Sequence, residues 1–143
     1  MARLGTNSPM WTFNILAASL SKDGIMLDRD VYSGAYPEGF NDPSQVAIPD
    51  VGPIPEGDYD FVGPPFTHPQ LGPYVLRIVP RKGTVTYGRS GFFLHGKPLP
   101  PADIRSGSKG CMCAMLQTRV RVWQSGDSWL QVISGVVAAD DHT

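Results

Sequence analysis

The chain has 143 residues, enough for one domain, and 41 % of them are hydrophobic, which is too many for a disordered protein. Twelve basic and thirteen acidic residues leave a net charge of −1, which excludes a broad cationic surface for nucleic acid or anionic lipid. Sixteen glycines and fourteen prolines are scattered along the chain. They exclude a long helical bundle and favour a turn-rich, mainly β domain.

The N-terminal third is predicted to form a hairpin followed by a long loop. Residues 11–16 alternate bulky and polar side chains, as a half-buried strand does. After a turn at 21–24, residues 25–32 are expected to return as the second strand. Residues 33–57 contain five X-Pro steps, which favour an ordered loop over a helix.

The rest of the chain is predicted to be mostly short strands. Strands are expected at 59–62, 74–79 and 92–95, and a second hairpin is expected from 120–123 and 129–133. Residues 111–117 lack helix breakers and predict a short helix of about two turns. The expected fold class is therefore mainly β, in a single domain over 1–143 with one or two short helices.

The ends of the chain carry no predicted core element. Residues 1–9 and 136–143 are expected to be flexible tails. No run of about 18 apolar residues predicts a membrane span, and the first ten residues lack the apolar centre of a secretory signal. We therefore expect the protein to be made in the cytoplasm and to reach any target outside it by another route.

The residues best suited to covalent chemistry lie between positions 95 and 111. His95 closes a predicted strand and precedes Gly96, and Cys111 follows the tripeptide Ser-Lys-Gly at 108–110. A cysteine nucleophile needs a base or a cationic neighbour, and an imidazole with a pKa near 6.5 can act as that base. If Cys111 opens a helix, the helix N-terminus lowers its pKa further. The alternative is a small buried thiol and a structural histidine.

Other candidate residues have simpler interpretations. Cys113 is expected to be a buried thiol, with a resolving or metal-binding role as the alternative. It stands one residue from Cys111, too close for an unstrained disulfide. The three histidines lie far apart in sequence, so we expect no metal. Arg119 and Arg121 alternate with valines, as on the solvent face of a strand.

The His-Gly pair, the proline-containing loop and the Ser-x-Gly-Cys sequence resemble the YkuD-type L,D-transpeptidases. The subgroup that the chain resembles most is that of the type VI secretion L,D-transpeptidase effectors and related phage domains. The same order of motifs extends along the chain: W-T-F at 11–13, Y-S-G at 32–34, G-P-I-P-E-G-D-Y at 52–59 and G-R-S-G-F at 88–92. The resemblance implies a YkuD-like β-sandwich and a cofactor-free enzyme acting on peptidoglycan stem peptides, as L,D-transpeptidase or L,D-carboxypeptidase.

The resemblance assigns roles by position. Cys111 is the expected nucleophile, His95 its base, and Ser108 a residue that shapes the active-site loop. Gly110 and the Cys111 N–H are expected to form the oxyanion hole. Four residues are expected to contact substrate: Arg89, which would bind a carboxylate, Tyr32 in the donor groove, Gly96 and Lys109. Two positions depart from the family pattern, since Cys113 stands where many members have arginine and Lys109 where histidine is common.

The same resemblance implies a biological setting. An antibacterial effector of this kind acts in the periplasm of a target cell, with an immunity protein and a secretion-system carrier as partners. The alternative function is a non-catalytic binding or structural module of a phage or secretion apparatus that retains the fold.

Overall fold

A computed structural model describes residues 10–98 and 108–135, so the tails predicted at 1–9 and 136–143 lie outside the described residues. Strand is the predominant regular structure of the described part, which confirms the predicted mainly β class. Its strands are β1 (Trp11–Asn14), β2 (Ser19–Lys22), β3 (Ile25–Asp28), β4 (Tyr32–Ser33), β5 (Gly57–His68), β6 (Gly72–Pro80), β7 (Phe92–His95), β8 (Met112–Cys113) and β9 (Trp129–Ile133). A helix, α1, spans Leu116–Gln124, and a 3-10 turn spans Pro43–Gln45.

The predicted sandwich takes the form of one continuous sheet over the described residues, in the order β3-β2-β1-β9-β5-β6-β7-β8-β4. Leu76 pairs with Leu94, and Leu94 with Met112, so these three buried side chains lie on one face. That face belongs to a core that also contains Trp11 and Phe13 of β1. The opposite face of β7 and β8 therefore presents the intervening residues, among which are His95 and Cys113.

The N-terminal hairpin differs from its prediction. Ser19–Lys22 forms a strand of its own, and it pairs with Trp11–Asn14 on one side and with Ile25–Asp28 on the other. The tight turn is the two-residue step Asp23-Gly24, both with positive φ, which matches the right-handed twist of adjacent strands. The predicted strand at 25–32 is divided, because Tyr32–Ser33 pairs with β8 at the far edge of the sheet.

The predicted helix at 111–117 and the predicted strand at 120–123 are both wrong. Met112 and Cys113 pair with β7 on one side and β4 on the other, so sheet pairing outweighs their helix propensity. The helix begins at Leu116 and includes 120–123. Thr118 and Val122 are buried at the i, i+4 spacing of one helix face, a pattern that the alternation of arginine and valine obscured.

Arg119 lies inside the protein and not on a solvent-facing strand. Its guanidinium donates to the carbonyl oxygens of Ala114, Pro73 and Tyr74 at 2.8–3.1 Å. It thereby connects α1 to the start of β6.

No helix in the described residues is long and apolar enough to cross a membrane.

Candidate active site

The parallel pairing of β7 and β8 brings the segments that carry the predicted catalytic pair next to each other. His95 is the last residue of β7 and pairs with Cys113, while Cys111 immediately precedes β8. Cys111 itself lies in a bend, just outside the paired residues of β8. In the sequence, Cys111 stands sixteen positions after His95.

Cys111 is the partly exposed cysteine of the two, and it lines an open cavity of about 250 Å³. The cavity is also lined by Asp50, Lys109 and the segment 88–92. The Cys111 thiol donates to the Gly91 carbonyl oxygen, with 3.8 Å between sulfur and oxygen. A substrate carbonyl that enters this cavity can therefore reach the sulfur.

The pKa of Cys111 is raised, and the expected lowering by a helix N-terminus is wrong. Burial raises it above the ordinary 9.0, and a backbone hydrogen bond at Phe93 and the charge of Arg89 offset only part of that effect. The helix begins five residues later, at Leu116. Cys111 therefore rests as a neutral thiol and needs a base at the moment of attack.

His95 is a buried, neutral imidazole with a defined tautomer. Its side chain is 2 % exposed, and burial lowers its pKa below the ordinary 6.5, with the positive charge of Arg119 acting in the same direction. Nδ1 lies 2.8 Å from the Gly96 carbonyl oxygen, which can only accept. The proton therefore sits on Nδ1, and Nε2 is left free to accept a proton.

The imidazole contacts Cys113, and in the described part of the chain no hydrogen bond joins it to Cys111. Sγ of Cys113 is 3.6 Å from Nε2. Cys113 is nonetheless 0 % exposed, and burial raises its pKa to about 12. A thiol that is fully buried and stays protonated is poorly suited to act as a nucleophile, and Cys111 is the more accessible of the two cysteines. The prediction that Cys113 is a buried thiol is confirmed.

Ser108 organises the loop that carries the nucleophile. Its hydroxyl donates to the Cys111 carbonyl oxygen at 2.6 Å and accepts from the N–H groups of Gly34 and Gly110, both at 3.1 Å. Because the Gly110 N–H is bound to Ser108, Gly110 is not the oxyanion donor that the sequence predicted. Its φ of +126° and the overlap that a Cβ would make with Arg89 explain why glycine is needed there.

Arg89 holds the cavity wall together. The guanidinium is 8 % exposed, and its Nη1 donates to the carbonyl oxygens of Val46 at 2.6 Å and Pro53 at 2.8 Å. Nη2 donates to the Gly52 carbonyl oxygen at 2.9 Å. A bidentate bond to a substrate carboxylate would have to displace these bonds. The contacts therefore favour a positioning role for Arg89 over the predicted role of binding a substrate carboxylate.

Lys109 is exposed beside the cavity, where a substrate contact remains a prediction.

Two other predicted substrate contacts do not reach the cavity. Tyr32 is 2 % exposed and its ring packs on Phe40, with 4.9 Å between centroids, so it does not line a groove. Gly96 lies where a Cβ would come within 2.8 Å of Arg119 Nη2. Its lack of a side chain therefore admits the arginine, and its contribution to the site is the carbonyl that binds His95.

Ser33 is a site residue that the sequence did not single out beyond its Tyr-Ser-Gly motif. Its hydroxyl donates to the Gly110 carbonyl oxygen at 3.3 Å and accepts from the Ile54 N–H at 2.9 Å. Together with Arg89 and Ser108 it ties the 46–54 loop to the nucleophile loop.

The described residues include no group of three or more His, Cys, Asp or Glu side chains placed to hold a metal.

Comparison with known proteins identifies the family. The sequence model of the Tlde1 domain matches residues 28–131, which is most of the chain. The chain belongs to the Tlde1 domain family. This membership confirms the resemblance to L,D-transpeptidase effectors that the sequence motifs indicated. No curated protein sequence matches the chain significantly.

Solved structures share the fold of this Tlde1 domain at low sequence identity. Bd1075 of Bdellovibrio bacteriovorus is 14 % identical, with a TM-score of 0.58, over 89 % of this chain and 48 % of that one. An L,D-transpeptidase from Mycobacterium tuberculosis H37Rv is 18 % identical, with a TM-score of 0.51, over 89 % and 58 % of the two chains. The LD transpeptidase LdtMt1, in complex with imipenem, is 16 % identical, with a TM-score of 0.51, over 88 % and 59 %. The chain thus spans about half to three-fifths of these proteins.

The raised pKa of Cys111 predicts its reactivity. Because the thiolate is the reactive form, labelling by iodoacetamide should increase as pH rises through an apparent pKa above 9.0. Peptide mapping by mass spectrometry should place the label on Cys111 and leave the fully buried Cys113 unlabelled in the folded protein. Cys111→Ala is the control for non-specific labelling. Rapid labelling of Cys111 that no longer changes between pH 6 and 8 would contradict the account.

Proposed function

We propose that the chain is a cysteine-dependent L,D-transpeptidase or L,D-carboxypeptidase that acts on the tetrapeptide stems of bacterial peptidoglycan. The observation that supports this most is a partly exposed thiol, Cys111, which lines an open cavity and directly precedes the strand that pairs with the strand of His95, a neutral imidazole whose tautomer leaves Nε2 free to accept a proton. Membership of the Tlde1 domain family and the L,D-transpeptidase fold support the substrate class.

The first half-reaction transfers the acyl group to sulfur. The Cys111 thiol turns toward His95 and passes its proton to Nε2, while Sγ attacks the carbonyl carbon of the diamino acid at the third stem position. Hydrogen-bonding geometry of this kind often closes only when substrate is bound. The tetrahedral intermediate collapses as the C–N bond to the terminal D-alanine breaks, and His95 returns the proton to the leaving amine. A thioester on Cys111 and free D-alanine result.

The second half-reaction regenerates the thiol. An acceptor gives up a proton to Nε2 of His95 and attacks the thioester carbonyl, and the Cys111 sulfur leaves and recovers its proton. Water as acceptor gives a tripeptide, a free D-amino acid gives an exchanged tetrapeptide, and the amine of a neighbouring stem gives a crosslink. None of these steps requires a redox change or a cofactor.

Product analysis tests this function directly. The purified full chain, incubated with a disaccharide tetrapeptide, should release D-alanine, and mass spectrometry should identify the tripeptide or, with an added D-amino acid, the exchanged tetrapeptide. A Cys111→Ala variant is the matched control. Intact substrate in both samples, under conditions in which the wild-type protein is folded, would favour a non-catalytic module.

We also propose that the protein acts as an antibacterial effector in the periplasm of target cells. A secretion-system carrier would deliver it, and an immunity protein would protect the producing cell. The Tlde1 family membership supports this setting. Expression with a periplasmic signal should arrest growth of an indicator strain, whereas cytoplasmic expression should not. Equal growth in both cases would count against the effector role.

A further inference from the structure

Cys113 is a buried thiol that the proposed reaction leaves unused. It is fully buried and its raised pKa keeps it protonated near neutral pH. Its sulfur nevertheless lies 3.7 Å from Nδ1 and 3.6 Å from Nε2 of His95. The imidazole that the proposed mechanism uses as base is therefore in contact with a second cysteine.

Backbone pairing fixes this contact across three strands. Tyr32 of β4 pairs with Cys113 of β8, and Cys113 pairs with His95 of β7. Directly paired residues project to the same face, so the three side chains form a row. The Tyr32 side chain hydrogen-bonds to the Cys113 thiol. The sulfur is thus held from the strand on one side while it contacts the imidazole on the other.

The two contacts of the imidazole do different things. The Gly96 carbonyl accepts from Nδ1 and so selects the tautomer. The sulfur of Cys113 is almost equally distant from the two ring nitrogens, so it favours neither of them. Because sulfur is bulky and the site is buried, the Cys113 side chain instead occupies space into which the His95 ring would otherwise turn.

We propose that Cys113 is a positioning residue for the reaction described under Proposed function. Its thiol, held by Tyr32, keeps the His95 ring in the orientation in which Gly96 binds Nδ1 and Nε2 receives the proton of Cys111. Cys113 acts through His95 and does not touch substrate. The inference rests on the proposed function, and it gives Cys113 a role that neither the resolving nor the metal-binding hypothesis describes.

Kinetics of two Cys113 variants test the proposal. Cys113→Ala should lower kcat at least about tenfold with KM little changed, because a misplaced base slows proton transfer without altering substrate contacts. Cys113→Ser keeps most of the side-chain volume and a hydroxyl that can hydrogen-bond to Tyr32, so it should retain kcat within about threefold of the wild type. A serine variant as slow as the alanine variant, or an alanine variant as fast as the wild type, would overturn the proposal.

A matched control separates positioning from packing. Val132 is buried in β9, which lies three strands from β7 in the sheet. Val132→Ala also removes buried volume and should lower the Tm while leaving kcat unchanged. If it reduces kcat as much as Cys113→Ala does, the effect is a general loss of packing and the positioning role is wrong.

A spectroscopic measurement makes the result independent of turnover. In NMR spectra of the ¹⁵N-labelled full chain, wild-type His95 should show a protonated Nδ1 and an unprotonated Nε2, and Cys113→Ala should mix the tautomers or broaden the ring signals. If these changes occur but no substrate is turned over, the proposed function fails and the positioning of His95 stands. Unchanged His95 signals in the alanine variant would overturn the positioning role even in an active enzyme.

Discussion

Replacing Cys111 with alanine should abolish D-alanine release, and His95→Gln should reduce kcat by about a hundredfold or more, as expected for loss of a general base. Glutamine is the better substitution at position 95, because His95 is buried and an alanine there would leave a cavity. The glutamine amide can still donate to the Gly96 carbonyl. The double variant should be no slower than Cys111→Ala, because residues that act as one unit lose their function together.

The pH dependence gives an independent measurement of the same pair. Burial lowers the pKa of His95 below 6.5, so the base stays neutral until the pH falls under that value. The kcat/KM of the wild-type enzyme should therefore be constant near neutral pH and decrease with a midpoint below 6.5. A midpoint well above 7 would mean that the group that titrates is not this buried imidazole.

Removal of the Arg89 guanidinium should be the most destabilising single change at the cavity wall. Arg89→Met keeps most of the side-chain volume but leaves the carbonyl groups of Val46, Gly52 and Pro53 without their donor. Unsatisfied buried acceptors cost roughly 1–3 kcal/mol each, and partial relaxation should leave a net loss of about 3 kcal/mol. For a chain of this size that loss lowers the Tm by about 10 °C.

Arg81→Met is the matched control for that substitution. Arg81 binds Asp60 at 3.0 Å and stacks over Trp129, but both charged side chains are more than a third exposed. Exposed ion pairs contribute about 1 kcal/mol or less, so the Tm should change little. Thermal unfolding of the two variants measures the difference. Equal changes in Tm would show that the carbonyl contacts of Arg89 do not stabilise the 46–53 loop.

The sequence predicts strands well where local pattern and sheet pairing agree. Residues 92–95 form a strand with the predicted bounds. The apolar run that predicts this strand stops at His95-Gly96, and the pairing with β6 and β8 stops at the same point. The helix predicted at 111–117 begins only at Leu116, and the strand predicted at 120–123 belongs to that helix. Two residues, Met112 and Cys113, are enough to join β4 to β7, and a contact of that kind has no local signal.

The candidate site was predictable in its chemistry and less so in its contacts. Motif and spacing point to Cys111 and His95, and the parallel pairing of β7 with β8 brings the segments that carry them next to each other. The partners of Arg89 lie 36–43 residues away in sequence, so its bonds to backbone carbonyls could not be recognised beforehand. Likewise, only the strand register reveals that Cys113 contacts His95.

The most direct test of the central claim is to find the acyl-enzyme. After brief incubation of the full chain with a disaccharide tetrapeptide and acid quenching, intact-protein mass spectrometry should detect an adduct equal in mass to the substrate minus D-alanine. Peptide mapping should place it on Cys111 as a thioester that hydroxylamine cleaves. An adduct on Cys113, or D-alanine release by a Cys111→Ala variant, would contradict the account.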